Sequence, residues 1–314
     1  MFRLGASAAA VVPGPVASSL STAVGAAVGR LPDFDGRRAV VASHMARVLG
    51  RALEPGERRR LVAAVFASYA RYWADSFRLP HVTAERVVAE VTVIGGEHLE
   101  TAREAGRGCV IAAPHLGGWE WGARYLLARG LSVTVAVEPL APDDVFQWFV
   151  GFRERLGMQV VPLGEGAGAT LLRALKNNRA LCLLSDRLVA QASGTEVEFF
   201  GGRLKMPAGP VTLALRSGAG LIAGAVYQEE GPDAHTIVFR PPLVLEDKGR
   251  FRESVNAGAQ ALAAELEELV RRAPTQWHLL QPNWPDDPQL HSPWGRRRHR
   301  GVARAPQPEG AVVP

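Results

Sequence analysis

The residues with the clearest chemical potential lie in Pro114-His115-Leu116-Gly117-Gly118-Trp119-Glu120. An imidazole held by a carboxylate is a general base: the acid fixes one ring nitrogen as the proton carrier and leaves the other free to accept. On one continuous helix, at about 100° per residue, His115 and Glu120 would point roughly 140° apart and could not cooperate. They meet only if His115 precedes the helix in a turn. Gly117 and Gly118 supply such a turn, because glycine accepts backbone angles closed to other residues. A second carboxylate, Asp186, follows a short apolar run and precedes Arg187. On position alone a surface ion pair is one use for it.

These residues need elements to hold them, and the chain supplies an alternating series. Arg37 to Leu49 and Glu57 to Phe77 carry apolar residues at helical spacing, and Pro80 ends the second stretch. From Val91 the pattern changes. Val91 to Ile94, Cys109 to Ala113, Leu131 to Val137, Gln159 to Leu163 and Ala180 to Leu184 read as strands, with helical segments between them. The run Cys109 to Ala113 is continuously apolar, as a strand covered on both faces must be. After Pro210 come a helix, strands at Leu221 to Tyr227 and His235 to Phe239, and a helix from Glu253 to Arg272. Strand–helix alternation predicts an α/β fold, a sheet covered by helices. His115 and Asp186 then both follow strands, where such folds place their sites.

Composition narrows the classes. The chain has 314 residues, 47% of them hydrophobic and 21% charged, enough to bury a large core and too apolar for a disordered chain. Cys109 and Cys182 both sit in apolar runs and read as buried thiols of a reducing compartment. The net charge of +5 is concentrated at the C-terminus: from His291 onward there are five arginines against one glutamate. Such a tail suits an anionic lipid surface or a nucleic acid, and equally a solvated tail. Residues Ala6 to Gly29 are small and apolar, but Pro13 and Pro15 argue against one spanning helix. This segment is expected to lie along a membrane surface.

The His-x₄-acid motif is the signature of glycerolipid and lipid A acyltransferases, and the resemblance continues along the chain. Arg71-Tyr72-Trp73, Phe152-Arg153-Glu154-Arg155-Leu156-Gly157, Asn177-Asn178-Arg179 and Glu198-Phe199-Phe200-Gly201 belong to it. So do Met206-Pro207-Ala208-Gly209-Pro210 and Trp277-His278-Leu279-Leu280-Gln281-Pro282. From Tyr69 to Trp284 the chain resembles the phosphatidylinositol mannoside acyltransferases of actinobacteria. The resemblance implies a mixed sheet flanked by helices on both sides, with a helical, membrane-proximal part over residues 1–80. It implies one acyltransferase domain over 1–294; the tail over 295–314, rich in Pro, Arg and Gly, reads from its composition as basic and disordered.

It also implies an activity: transfer of a fatty acyl group from acyl-CoA, a co-substrate, to a mannose hydroxyl of a mannosylated phosphatidylinositol. No further cofactor, metal or nucleic acid is implied. The protein would work as a peripheral enzyme on an anionic membrane, at the cytoplasmic face. His115 would be the base, and which of Glu120 and Asp186 orients it stays open. The family usually has Asp where Glu120 stands and Glu where Asp186 stands. Glu138, Arg153 and Arg187 fall where the family places polar groups near the acceptor headgroup, with a solvated face as the alternative for Glu138 and Arg153.

Other motifs carry less. Gly164-Glu165-Gly166-Ala167-Gly168-Ala169 matches G-x-G-x-x-A, with Asp186 22 positions beyond Gly164. That fingerprint would suit an NAD-dependent oxidoreductase. A lipid-binding protein without catalysis is a third reading, in which His115 has no role. Glu196 and Glu198 point to one side of a strand. His44, His81 and His98 have no acid or cysteine neighbours at metal-ligand spacing, and His278 reads as packing. Trp73, Trp121 and Trp148 suit either the core or the edge of an acyl-binding face.

Overall fold

A computed structural model describes residues 14–31, 36–231 and 233–290. Three helices come first: α1 (Gly14–Arg30), α2 (Arg37–Leu49) and α3 (Pro55–Arg78). Pro15 occupies the first turn of α1, where an N–H has no intrahelical partner to lose, so this proline opens a helix rather than interrupting one. α1 lies close against α3: a Cβ added at Gly25 would fall 2.4 Å from the Phe66 carbonyl oxygen. The opposite face of α1 leaves Val16, Leu20, Val24 and Val28 exposed, a stripe at every fourth residue. Among the described residues no helix is long and apolar enough to cross a membrane. The basic tail lies outside the described residues.

The alternating part follows: α4 (Ala84–Glu90), β1 (Val91–Ile94), α5 (Gly96–Glu104), β2 (Cys109–Ala113), α6 (Trp119–Ala128) and β3 (Val133–Val137). Next come α7 (Asp143–Arg155), β4 (Gln159–Pro162), α8 (Ala167–Lys176) and β5 (Ala180–Leu184). A hairpin of β6 (Gly194–Phe199) and β7 (Gly202–Pro207) intervenes, and Glu196 and Glu198 face outward from it. Then come α9 (Gly209–Ser217), β8 (Gly220–Gln228), β9 (His235–Phe239) and α10 (Phe251–Arg272).

Seven strands form one sheet in the order β1-β9-β8-β2-β5-β3-β4. All neighbours are parallel except β8 and β9, so the sheet is mixed. Side chains alternate across it. Val110, Leu181, Leu221 and Ala223 face a core built with α2, α3, α8, α9 and α10. Ile111, Val135, Ile222 and Ile237 face a second core built with α4, α5, α6 and α7. The α/β class and the two covered faces agree with the sequence.

β2 and β5 are neighbours with Ala113 paired to Leu184. Two residues further along each strand stand His115 and Asp186. The register therefore sets them side by side at the carboxyl edge of the sheet, although 71 positions separate them in sequence.

Candidate active site

Immediately past β2 the chain turns sharply. Gly117 adopts φ +57°, and a Cβ there would lie 1.8 Å from the Val226 carbonyl oxygen, so only glycine fits. Gly118 donates to that same carbonyl at 3.2 Å before α6 begins. His115 thus lies ahead of the helix, as the turn requires.

A strap following α10 pins this turn from the other side. Gly117 N–H donates to the Gln276 carbonyl at 3.0 Å, and His278 N–H donates to the His115 carbonyl at 2.7 Å. The strap carries Trp277 into the site.

Asp186 is the partner of His115. Its Oδ1 lies 2.5 Å from His115 Nδ1, and its Oδ2 accepts from the His115 backbone N–H at 2.9 Å and from Trp277 Nε1 at 2.7 Å. Asn283 Nδ2 donates to the Asp186 carbonyl at 2.9 Å. The side chain of Asp186 is fully buried, while that of His115 remains 27% exposed. Burial alone would raise the Asp186 pKa. The charge of His115, with the hydrogen bonds from His115 and Trp277, outweighs it and holds the carboxyl below its ordinary value. An ionised carboxylate only accepts, so the proton between the two side chains belongs to His115 Nδ1. Nε2 makes no hydrogen bond among the described residues.

Glu120 does not reach His115. It is buried and accepts from the Tyr72 hydroxyl at 2.9 Å, from Arg153 Nη2 at 3.2 Å and from Ser76 Oγ at a long 3.5 Å. Burial raises its pKa, against the opposing Arg153 guanidinium. The open choice between the two acids thus falls to Asp186 as the hydrogen-bond partner of the ring. Glu120 instead ties α6 to α3 and α7. Arg153 is held by it and lies over the rings of Trp119 and Phe149. Glu138, just past β3, pairs with Arg187.

His115 lines a cavity of about 950 Å³ together with Glu138, Arg153 and Arg187. Strand alternation separates its lining into two arms that meet over the carboxyl edge. One runs beneath α6 against Ile111, Leu126, Val135, Ile237 and Phe239. The other runs along α8 and α9. Tyr69, Tyr72 and Trp73 of α3 also line the cavity.

Three further residues belong to the site. Trp277 bonds the buried carboxylate. Tyr72 bonds Glu120. His278, 8% exposed, lines the cavity with Nε2 2.9 Å from Ser68 Oγ. Trp277 and Tyr72 stood inside recognisable motifs, but nothing in sequence spacing pairs them with acids 91 and 48 positions away. Of the tryptophans, Trp73 lines the cavity, whereas Trp121 is wholly buried and stacks on His235. Asp186 also bears on the dinucleotide fingerprint. The carboxylate expected to take a ribose hydroxyl is fully engaged by His115 and Trp277.

A sequence model of the family described as "Bacterial lipid A biosynthesis acyltransferase" matches residues 4–285. The chain belongs to that family. Within it, the chain is similar to the phosphatidylinositol mannoside acyltransferase of Mycolicibacterium smegmatis, 37% identical over 77% of each chain. It is also similar to the protein of the same name from Mycobacterium tuberculosis, 36% identical over 71% of this chain and 70% of the relative.

Proposed function

We propose that the protein transfers a fatty acyl group from acyl-CoA to a mannose hydroxyl of a mannosylated phosphatidylinositol, with His115 as general base and Asp186 orienting it. The observation that carries this reading is the His115–Asp186 pair opening onto the large apolar cavity. The names of the relatives supply the acceptor class.

The chemistry follows from the ring's protonation. Nε2 takes the proton of the sugar hydroxyl as its oxygen attacks the thioester carbonyl carbon. The tetrahedral intermediate collapses, the carbon–sulfur bond breaks, and the imidazolium returns the proton to the thiolate. An ester and free coenzyme A leave. Asp186 stabilises the transient imidazolium and never needs to accept a proton itself. No cysteine nucleophile is needed, and burial pushes the Cys182 thiol up, away from its reactive thiolate. The arm beneath α6 suits the acyl chain, because its lining is apolar. Glu138, Arg153 and Arg187 lie where a headgroup would approach the base.

An acceptor with acyl chains leaves a bilayer only at about 0.8 kcal/mol per CH₂, so the enzyme works at the membrane. The exposed stripe of α1 offers apolar burial, and Arg296, Arg297, Arg298, Arg300 and Arg304 offer attraction to anionic lipid at the cytoplasmic face. Incubation with palmitoyl-CoA and mannosylated phosphatidylinositol, read by mass spectrometry, tests the reaction. A lipid product heavier by one palmitoyl group is expected; unchanged lipid with intact thioester refutes the reading. Co-sedimentation with anionic vesicles tests the attachment. Serine at Val16, Leu20, Val24 and Val28 should release the protein in 1 M salt, and full retention would mean that another surface holds it.

A further inference from the structure

The buried carboxylate of Asp186 takes three N–H donors: the backbone and the ring of His115, and Trp277 Nε1 at 2.7 Å. Among the described residues, Trp277 is the one donor to it that is not His115 itself. The backbone aims this indole. Gly117 N–H bonds the Gln276 carbonyl, His278 N–H bonds the His115 carbonyl, and Leu116 and Trp277 form an antiparallel bridge between them. Side chains alternate along such a stretch, so His278 lines the cavity while Trp277 turns to the carboxylate. Trp277 is 1% exposed, with the His44 and Phe200 rings 5.3 and 5.8 Å from its own, centroid to centroid. In a close-packed interior an indole so enclosed swings away only by moving its neighbours.

A carboxylate held only by the residue it orients would turn with that residue. An N–H from a separate element fixes the carboxyl plane, with Oδ2 on Trp277 and Oδ1 on His115 Nδ1. The same N–H draws negative charge toward Oδ2 and so lessens the attraction of Oδ1 for a charged imidazole. A general base works best when its proton affinity suits the working pH. Held too weakly, no proton is taken; held too strongly, none is returned.

We infer that Trp277 is a positioning residue for the base, acting through Asp186: its indole N–H fixes the carboxylate and moderates the charge that His115 feels. This rests on the reading of His115 as general base. Trp284 offers a comparison within the same aromatic cluster. It is 3% exposed and stacks on Phe199 at 5.8 Å, but its Nε1 donates to the Phe199 carbonyl at 3.3 Å and not to Asp186. Losing either indole removes a buried N–H and part of one cluster, and only the loss of Trp277 reaches the carboxylate.

The test sets Trp277→Phe against Trp284→Phe, each of which keeps a ring and removes the N–H. Both variants should lose thermal stability. With palmitoyl-CoA and mannosylated phosphatidylinositol, Trp277→Phe should lower kcat about tenfold and keep both KM values within about twofold. The freed carboxylate stabilises the imidazolium more, so the acid limb of the kcat profile should move up by about one pH unit. Trp284→Phe should leave that limb in place. Tyr72 of α3, Arg153 of α7, His278 of the strap and the Glu138–Arg187 pair line the cavity with His115. Neither substitution removes a hydrogen bond of theirs, so they do not account for a difference between the variants. Titration of the His115 ring signals by NMR reads the same shift without turnover. Benzothienylalanine in place of Trp277 keeps the indole shape and puts sulfur where the N–H was, which repeats the measurement if phenylalanine unfolds the protein. A ring titration at its wild-type position in both Trp277 replacements overturns the assignment, and so does an equal shift in Trp284→Phe. If the ring titration moves as stated while wild-type protein transfers no acyl group, the role of Trp277 stands and the proposed reaction falls.

Discussion

Among the described residues two histidine–aspartate pairs stand out, and we propose chemistry for one of them alone. His44 and Asp287 lie 3.0 Å apart through Nε2 and Oδ2, and His44 Nδ1 is 3.1 Å from the Leu279 carbonyl oxygen. Both ring nitrogens are used. The ring is 1% exposed and packs between Trp277 and Trp284, with centroids 5.3 and 5.2 Å away. Asp287 also accepts from Ser43 and from the backbone of Asn283 and Trp284. This pair ties α2 to the C-terminal strap. In the other pair one nitrogen of His115 is held by Asp186 and the second is left to the cavity. The same two residue types make a strut where both ring nitrogens are bonded and, in the proposed site, leave one ring nitrogen to the cavity. Trp277 touches both: its ring covers His44 and its Nε1 bonds Asp186. Trp277 thereby links the strut to the carboxylate that holds His115.

The largest expected effect separates the two histidines. His115→Ala should lower kcat by about 10²–10⁴, the usual cost of losing a general base, with its unfolding midpoint near that of wild type. His44→Ala should do the reverse. It should lower stability by about 2–4 kcal/mol, by leaving buried polar atoms unpaired, while kcat per folded molecule holds. Turnover and urea unfolding on both variants decide it. A folded His44→Ala protein with the kinetic defect of His115→Ala would erase the distinction.

The acids come next. Asp186→Asn should reduce kcat by about 10², because the amide can offer an N–H where the ring needs an acceptor, and the tautomer is lost. Glu120→Gln should cost less than about tenfold, since no bond to His115 is broken. Equal losses in the two variants would mean that Glu120 reaches the base through a path the hydrogen bonds do not show. Asp287→Asn should leave kcat alone and lower stability by about 1–3 kcal/mol. Asp287 has its pKa held low against burial by His44 and two backbone N–H groups. A depressed carboxyl contributes stability that is present above its unfolded value and lost as pH falls below about 4. The Asp287→Asn deficit should therefore shrink in that range, as read from melting midpoints at pH 7 and pH 3.

How much of this was legible beforehand depends on where each partner lies along the chain. The strands Cys109–Ala113 and Ala180–Leu184 announced themselves as apolar runs, and Gly117 and Gly118 announced the turn. Glu120 drew attention because it is near His115 in sequence, yet the sheet order decided the matter. β5 inserts beside β2, and the register carries Asp186 to the ring. Local spacing contains no strand order, so both acids stayed candidates. His44 looked partnerless for the same reason: its acid is 243 positions away. The mixed sheet and the two-sided helical cover came through the family resemblance. Strand–helix alternation alone does not reveal that β9 runs antiparallel to β8.

A third kind of histidine sharpens the comparison with the smallest effect. His235 and His278 are buried and have no carboxylate bonded to the ring. Burial pushes the first down to about 4 and the second to about 3. Both stay neutral at pH 7. Below about pH 6.5 the unfolded chain takes up protons on these residues and the folded protein does not, so stability falls as pH falls. Each contributes about 1.4 kcal/mol per pH unit. Asp75 opposes them. Burial, against the pull of Arg71, raises its carboxyl to about 6, so between pH 6 and pH 4 the folded protein takes up that proton first and gains stability. Two losses and one gain leave these three residues a net fall of about 1.4 kcal/mol per unit over that window. Urea unfolding at pH 6, 5 and 4 should show His278→Gln flattening the profile and Asp75→Asn steepening it by the same amount. Profiles parallel to wild type in both variants would mean that neither residue titrates as its surroundings dictate.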